Sequence, residues 1–498
     1  SPYPTSETIN NPVALINERT DQYKKFSARI NLFGEYEVLN GLTFRSGYTY
    51  SYRNVKNNFW AGMDLLEAAE VGEGSITNTT YNYWLSENTL TFDKKINDHH
   101  LNVLGGFTAS EEKATQIYAY ATGFATETLM FNALELGETS EVASASDKSS
   151  IASFLGRINY SYKDRYLFTV NFRADGSSKF ATNNKWGYFP SASIGWRINE
   201  ENFMKSMDKL SNLKLRVSYG SIGSQAIDAY QSLASYANKN VVLGDNTYVG
   251  VVSQRIANDD LKWETTEQFD IGLDLGLFNN RINFIADYYI KDTKDLLYEK
   301  DVPYYTGYST QLQNIGKVRN KGFEFALNTV NINKEFKWNT SFNISFNKNK
   351  VISLGGDEAN YYDAALGVKN EFETSIILKV GEPMGSFYGY VFDGIYQNEA
   401  ECEALPYPSV DDCEPGMVKL KDLTGEGEID TDDRTIIGCA QPDFVFGFGN
   451  DFSWKGFDLN LMFQGSVGGD IMNLNRVSLE GFTGTRNRLK KVLTESWQ

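Results

Sequence analysis

Residues 268–290 read QFDIGLDLGLFNNRINFIADYYI, and two faces separate at once. Phe269, Ile271, Leu273, Leu275 and Leu277 fall on alternate positions, with Gln268, Asp270, Gly272, Asp274 and Gly276 between them. A period of two belongs to the β-strand, whose successive side chains point to opposite faces, so one face here is wholly apolar. After the turn Phe278-Asn279-Asn280-Arg281 the chain returns with Ile282, Phe284, Ala286, Tyr288 and Ile290 on one side. Two such runs around a short polar turn predict an antiparallel hairpin.

The unit recurs along the chain. Residues 26–38 and 42–52 flank Asn40-Gly41, an NG turn of the kind hairpins favour. Residues 83–92 with 101–108, 154–162 with 166–174, 189–198 with 213–220, 320–330 with 336–346, and 444–452 with 457–466 repeat the pattern. This predicts about fourteen strands in hairpins, each near the ten residues that a tilted membrane strand needs. Loop length adds direction: turns inside hairpins are short, whereas the intervals 53–80, 109–150, 221–266, 292–319 and 347–443 are long and 175–188 is intermediate. All short turns then lie at one end and all long loops at the other. A soluble β-sandwich or propeller also alternates, but it predicts neither this asymmetry nor so many uninterrupted apolar faces. Tyr48, Tyr50, Tyr52, Tyr160, Tyr162, Trp196 and Trp454 sit near strand ends, where the aromatic girdles of outer-membrane barrels lie. The expected fold is therefore all-β, a transmembrane antiparallel β-barrel with long extracellular loops. Asp270, Asp274 and Asp287 alternate with the apolar face and are expected to face the polar lumen.

Composition narrows the partners. Aromatic residues make up 14% of the chain, yet no apolar run is long enough for a membrane helix. A net charge of −17 argues against a nucleic-acid partner, since phosphate neutralisation needs clustered Lys and Arg. The chain opens SPYPTSETINNP, without Met, a basic segment or an apolar core, so a processed or truncated product is expected. Of the three cysteines, Cys402 and Cys413 bracket one short acidic stretch and are candidates for a bridge in an oxidising compartment, which would leave Cys439 over. No enzymatic reading gains support. The two histidines, His99 and His100, are adjacent in a short turn, and no HExxH, GxSxG or phosphate-loop pattern occurs. Gly447-Phe448-Gly449 lies inside an alternating strand and reads as small residues in a barrel wall. No redox or nucleotide cofactor is expected.

Several stretches carry more than a barrel pattern. RADGSSKF (173–180), GYFPSASIGWRI (187–198), LKLRVSYG (213–220), NDDLKWETTEQFDIGLD (258–274), NIGKVRNKGFEFAL (314–327), GEPMGSFYGYVFDGIYQ (381–397), DRTIIG (433–438) and PDFVFGFGNDFSWKGFDLNLMFQGSVGGDIMN (442–473) resemble the barrel of the SusC/RagA family of TonB-dependent outer-membrane transporters of Bacteroidetes. The resemblance runs through nearly the whole chain and in the family's order. It implies active import of a glycan oligomer or an oligopeptide, a SusD-type lipoprotein lid over the mouth and energy from TonB, and it allows paired units in a dimer of transporter–lid complexes. It also implies that residues 1–498 are one barrel domain of a roughly 22-stranded type in part, with the plug domain, the TonB box and further C-terminal strands lacking a counterpart. An importer of a siderophore or vitamin is the alternative within the architecture, for which a basic lumen would speak; a surface β protein in adhesion is the alternative outside it.

Two sets of residues are candidate sites. The stretch DLTGEGEIDTDD, 422–433, sets side-chain oxygens of Asp422, Thr424, Glu426, Asp430 and Asp433 at loop positions 1, 3, 5, 9 and 12, the carbonyl of Glu428 at position 7 and Gly427 at position 6. Hard oxygen donors in that order suit Ca²⁺. Thr424 stands where Asp or Asn is usual and Asp433 where a longer Glu binds, and both weaken the site. Flanking Met417–Lys421 and Thr435–Gly438 read as strands, so a helix-flanked sensor is not expected. The competing reading is an acidic solvated loop closed by its own hydrogen bonds. Counted from the turn at 453–456, the loop falls on the long-loop, extracellular side. For substrate, sugar rings stack on exposed aromatic faces, and Trp60, Tyr304, Tyr305, Tyr308, Tyr361 and Tyr362 on the long loops are the candidates. Packing within the loops or against a lid is the competing role for each.

Overall fold

The computed structural model describes residues 10–68, 71–244, 246–356, 359–362, 375–405, 413–480 and 488–495. Fourteen long strands form one antiparallel sheet whose hydrogen-bonded order is the order of the sequence. They are β1 (Arg19–Leu39), β2 (Leu42–Ala61), β3 (Glu73–Ile96), β4 (His99–Phe124), β5 (Gly137–Tyr162), β6 (Tyr166–Ser177), β7 (Trp186–Arg197), β8 (Leu210–Ser224), β9 (Glu264–Leu277), β10 (Ile282–Lys294), β11 (Lys317–Asn333), β12 (Phe336–Ser353), β13 (Phe444–Trp454) and β14 (Phe457–Val467). Each strand expected from alternation falls in one of these to within a residue. By its contacts the chain forms two compact units, one of residues 1–193, 221–264 and 299–314, the other of 194–220, 265–298 and 315–498.

In the second unit, register carries the apolar face from strand to strand. Ile271 pairs with Tyr288 and Leu275 with Phe284 across the β9–β10 hairpin. Tyr288 then pairs with Phe323, Phe323 with Phe346, Phe342 with Phe448, and Phe448 with Phe463. Tyr288 and Phe323 bring their ring centroids to 4.7 Å. Because the side-chain period is two, a slip of one residue anywhere would move a whole strand's apolar set to the polar face, so this face fixes the register. It is also exposed: Phe269, Ile271, Phe323 and Phe448 stay open to the surroundings. The turns supply the rest. Lys455 (φ 47°) and Gly456 (φ 86°) are both left-handed between the directly paired Trp454 and Phe457, the geometry of a type I′ hairpin turn.

The first unit departs from expectation in its loops. β2 and β3 are 20 and 24 residues long, and β4 and β5 are 26 each, so most of the intervals 53–80 and 109–150 is strand. The true connections shrink to 62–72 and 125–136. These extensions hide in the sequence because their faces are both polar, as in ETSEVASASDKSS (138–150), and leave no apolar stripe to count. Backbone pairing holds them: Glu111 to Thr122 match Ser150 to Thr139 without a break. Their far ends are closed by a small core of Trp60, Ala121 and Phe124, packed on Met63, Phe131 and Leu134.

The remaining long intervals also contain short strands. Residues 235–243 pair with 246–255, 297–301 with 310–314, and 392–395 with 418–420, while 359–362, 376–379, 386–389 and 435–439 form a four-stranded sheet. Cys402 and Cys413 are joined in a disulfide with Cα atoms 5.7 Å apart, and Cys439 is a free thiol.

Candidate functional site

Three groups of residues bear on function: the polar face of the second unit, the acidic loop at 422–433, and the aromatic side chains of the connecting loops. On β9, β10, β11 and β12 the face opposite the apolar row carries Gln268, Asp270, Asp287, Tyr289, Lys291, Asn320, Glu324 and Asn347, which with Arg216 of β8 line a concavity of about 540 Å³. Arg216 organises its floor. Its Nε donates to both Asp274 oxygens at 3.1 Å, and its Nη2 donates to Asp274 Oδ1 and to Asp287 Oδ1, both at 2.9 Å. Charge-assisted bonds of this kind are about twice as strong as neutral ones. The expected acidic wall is therefore partly neutralised. Alternation placed Asp270, Asp274 and Asp287 on one face correctly, but it gave no sign of Arg216. The available signal was LKLRVSYG, where Lys214 and Arg216 occupy the polar positions between Leu213, Leu215 and Val217.

The acidic loop is built by its own short side chains. Gly425 (φ 77°) and Gly427 (φ 85°) take left-handed conformations that turn the chain around Asp422, whose carboxylate accepts from both glycine amides. Asp433 closes the ring from the other end. Its Oδ1 accepts from Leu423 N at 2.7 Å and Thr424 N at 3.1 Å, and its Oδ2 from Asp430 N at 2.9 Å. Asp430 in turn accepts from Asp432 N, so that Asp430 and Asp433 form a capping box on the 3₁₀ turn Thr431–Asp433. The amide of Asp430 first, then those of Thr424 and Leu423, hold the Asp433 carboxyl below the usual carboxylate range against the opposing effect of burial. Strands at 418–420 and 435–439 flank the loop, as expected.

The six candidate ligands are not equally placed. Carboxylate oxygens of Glu426, Asp430 and Asp433 lie within 4.8 Å of one another. Asp433 is fully buried, whereas Glu426, Glu428 and Asp430 are exposed. The Thr424 hydroxyl lies 3.2 Å from Asp422 Oδ1 and 3.4 Å from Asp433 Oδ1, linking the two ends of the loop. Ile429 is buried and anchors the loop from position 8.

The aromatic candidates divide. Trp60 is only 1% exposed, its ring edge-on to Phe124 at 4.9 Å, so it belongs to the core of the extended hairpins and has no free face for a ligand. The sequence suggests a loop position because the alternation that marks β2 fades near Tyr52, whereas the strand runs on to Ala61. Tyr304 and Tyr305 are 91% and 90% exposed on a single 3₁₀ turn. Tyr308 is half-buried, and its hydroxyl lies 2.5 Å from Ser253 Oγ, which ties 310–314 and its partner strand to the 235–255 hairpin. Tyr361 and Tyr362 lie in the strand Ala359–Tyr362, and their side chains fall outside the described residues.

Comparison with known proteins agrees with this architecture. The family model described as TonB dependent receptor-like, beta-barrel, matches residues 2–386. TonB-dependent receptor P3 of Formosa agariphila is 41% identical over 479 residues, covering 95% of this chain and 47% of the relative. TonB-dependent receptor SusC of Bacteroides thetaiotaomicron is 36% identical over 330 residues, covering 64% of this chain and 31% of SusC. The solved structure of the RagAB peptide transporter superposes with a TM-score of 0.83 at 25% identity, covering 97% of this chain and 52% of the transporter chain. The chain thus spans about half the length of the curated relatives it matches. With fourteen consecutive antiparallel strands, one apolar face and one polar face, the chain belongs to the TonB-dependent receptor β-barrel family, in its SusC- and RagA-like branch.

Proposed function

We propose that this chain forms barrel wall of an outer-membrane importer that takes up glycan oligomers or oligopeptides with energy from TonB, beneath a SusD-like lipoprotein lid. The observation that carries the reading is the pairing register: one apolar row passes unbroken from Ile271 through Tyr288, Phe323 and Phe346, and Ile271, Phe323 and Phe346 stay exposed, which suits a surface in lipid. The similarity to SusC and to the RagAB peptide transporter supports nutrient import, and the Bacteroidetes-type relatives support a cell outer membrane of that kind. A siderophore or vitamin would call for a basic, charge-selective wall, and Arg216 is already bound to Asp274 and Asp287. The test is growth of a strain deleted for the full-length receptor on a panel of glycans and peptides, with affinity purification of the receptor from membranes. Loss of growth on one oligomer class and recovery of a lid lipoprotein are expected. A receptor soluble without detergent would overturn the importer reading in favour of adhesion.

We further propose that 422–433 holds a structural Ca²⁺ and stiffens an extracellular loop. The clustering of Glu426, Asp430 and Asp433 supports it, with Asp422, Thr424 and the Glu428 carbonyl completing the donor set. Calcium titration of the full-length receptor, followed by protection of this loop from protease, tests the proposal. Equal cleavage with calcium and with a chelator would overturn it.

A further inference from the structure

Part of the aromatic belt at one end of the outer face forms a hollow that import itself does not call on. His99, Tyr160, Tyr162, Tyr166 and Phe168 line a hollow of about 340 Å³. Their positions on β4, β5 and β6 are those of the outward set: Tyr160 and Tyr162 continue the row of Phe154 and Ile158, and Phe168 that of Val170 and Phe172, all of which are exposed. The hollow is therefore on the apolar face, at the end where the short turns Asn97-Asp98 and Lys163–Arg165 lie.

We propose that this hollow binds the headgroup of an ethanolamine phospholipid. The inference rests on the membrane reading above and adds a lipid site to it. The walls are two ring ladders: His99 stands 4.8 Å from Tyr162, which stacks on Tyr166 at 6.4 Å, and Tyr160 stacks on Phe168 at 6.2 Å. His99 Nδ1 lies 2.7 Å from the Tyr160 hydroxyl and ties the two ladders together. Ring faces carry negative potential, so an ammonium enclosed by several of them is attracted, the more so where water is thin. The rim supplies the opposite charge. Lys163 Nζ sits 5.2 Å over the Tyr162 ring and 3.8 Å from Asp98. This pair is exposed and weak, so Lys163 can turn to a phosphate at little cost. A purely anionic headgroup can reach Lys163 but has nothing to place among the rings. A headgroup with an ammonium and a phosphate satisfies both parts.

The experiment uses the full-length receptor in nanodiscs of dioleoyl phosphatidylethanolamine and dioleoyl phosphatidylglycerol in equal parts. The lipids retained on extraction into mild detergent are measured by native mass spectrometry. Retention of the ethanolamine lipid at least fivefold above the glycerol lipid is expected. Tyr162→Leu combined with Phe168→Leu should bring the ratio near one, while Tyr188→Leu, elsewhere on the same outer face, should leave it unchanged. Equal retention by the unmodified receptor, or an equal loss in the Tyr188→Leu control, would overturn the inference. A receptor that never enters nanodiscs would instead overturn the membrane reading.

Discussion

Arg216 lies directly over Gly272: a Cβ built on that glycine would stand 2.6 Å from Arg216 Nη2. The missing side chain is what lets one guanidinium on β8 reach both Asp274 on β9 and Asp287 on β10. Hydrogen bonds to charged groups contribute about 1.5–3 kcal/mol each, less where water reaches them. Arg216→Ala should therefore cost about 1–3 kcal/mol, and Gly272→Val should cost a similar amount while keeping every charge. Thermal unfolding of the receptor in detergent measures both. A Gly272→Val protein as stable as the parent would show that the crossing is not needed.

Ile271 and Asp270 are neighbours in sequence on opposite faces of β9. If the apolar row meets lipid, Ile271→Arg should cost about 2–4 kcal/mol near the bilayer midplane, and Asp270→Arg should cost far less. Refolding into vesicles from urea distinguishes them. Equal penalties would deny that the two faces see different solvents.

Legibility followed the range of the interactions. The hairpin at 268–290 was readable because its apolar face and its turn both lie within two dozen residues, and Phe269 pairs with Ile290 as alternation requires. The extended arms of β4 and β5 were not, because strands such as 138–150 are polar on both faces and exist through backbone pairing with a partner. The acidic loop was readable since its donors and acceptors are local, Asp422 with Gly427 and Asp433 with Leu423. The partners of Arg216 were not, for the opposite reason: LKLRVSYG puts it on a polar face without naming what it meets there. Its partner Asp274 is 58 positions away, across an intervening loop, and no local pattern encodes that register.

Asp433 makes the loop sensitive to acid. Its folded carboxyl titrates below its unfolded value near 4, since the amides of Asp430, Thr424 and Leu423 favour the charged form. A depressed folded value means that the stabilisation is complete above the unfolded pKa and is lost as pH falls through the folded one. Protease cleavage within 422–433 should be slow at pH 6 and should accelerate below about pH 4. Asp433→Asn should be cleaved faster at pH 6 and should show little of this pH dependence. A variant with the parent's pH profile would assign the effect to another group.

Trp60 and the pair Tyr304 and Tyr305 give the sharpest contrast among the aromatic candidates. Trp60 is enclosed by Phe124, Met63, Phe131 and Leu134, so Trp60→Ala empties a packed core and should cost about 3–5 kcal/mol. Its effect should be on the order of the far hairpin ends, read as faster amide exchange in 56–61 and 117–124, with substrate affinity unchanged in receptor that remains folded. Tyr304→Ala with Tyr305→Ala removes two nearly fully exposed rings and should leave unfolding within about 0.5 kcal/mol. If those rings meet substrate or lid, uptake of the growth-supporting oligomer should fall several-fold in the double variant, chiefly through a higher half-saturating concentration. Normal uptake in the tyrosine variant would remove both rings from the binding surface, and weakened substrate binding by a folded Trp60→Phe protein would return Trp60 to it.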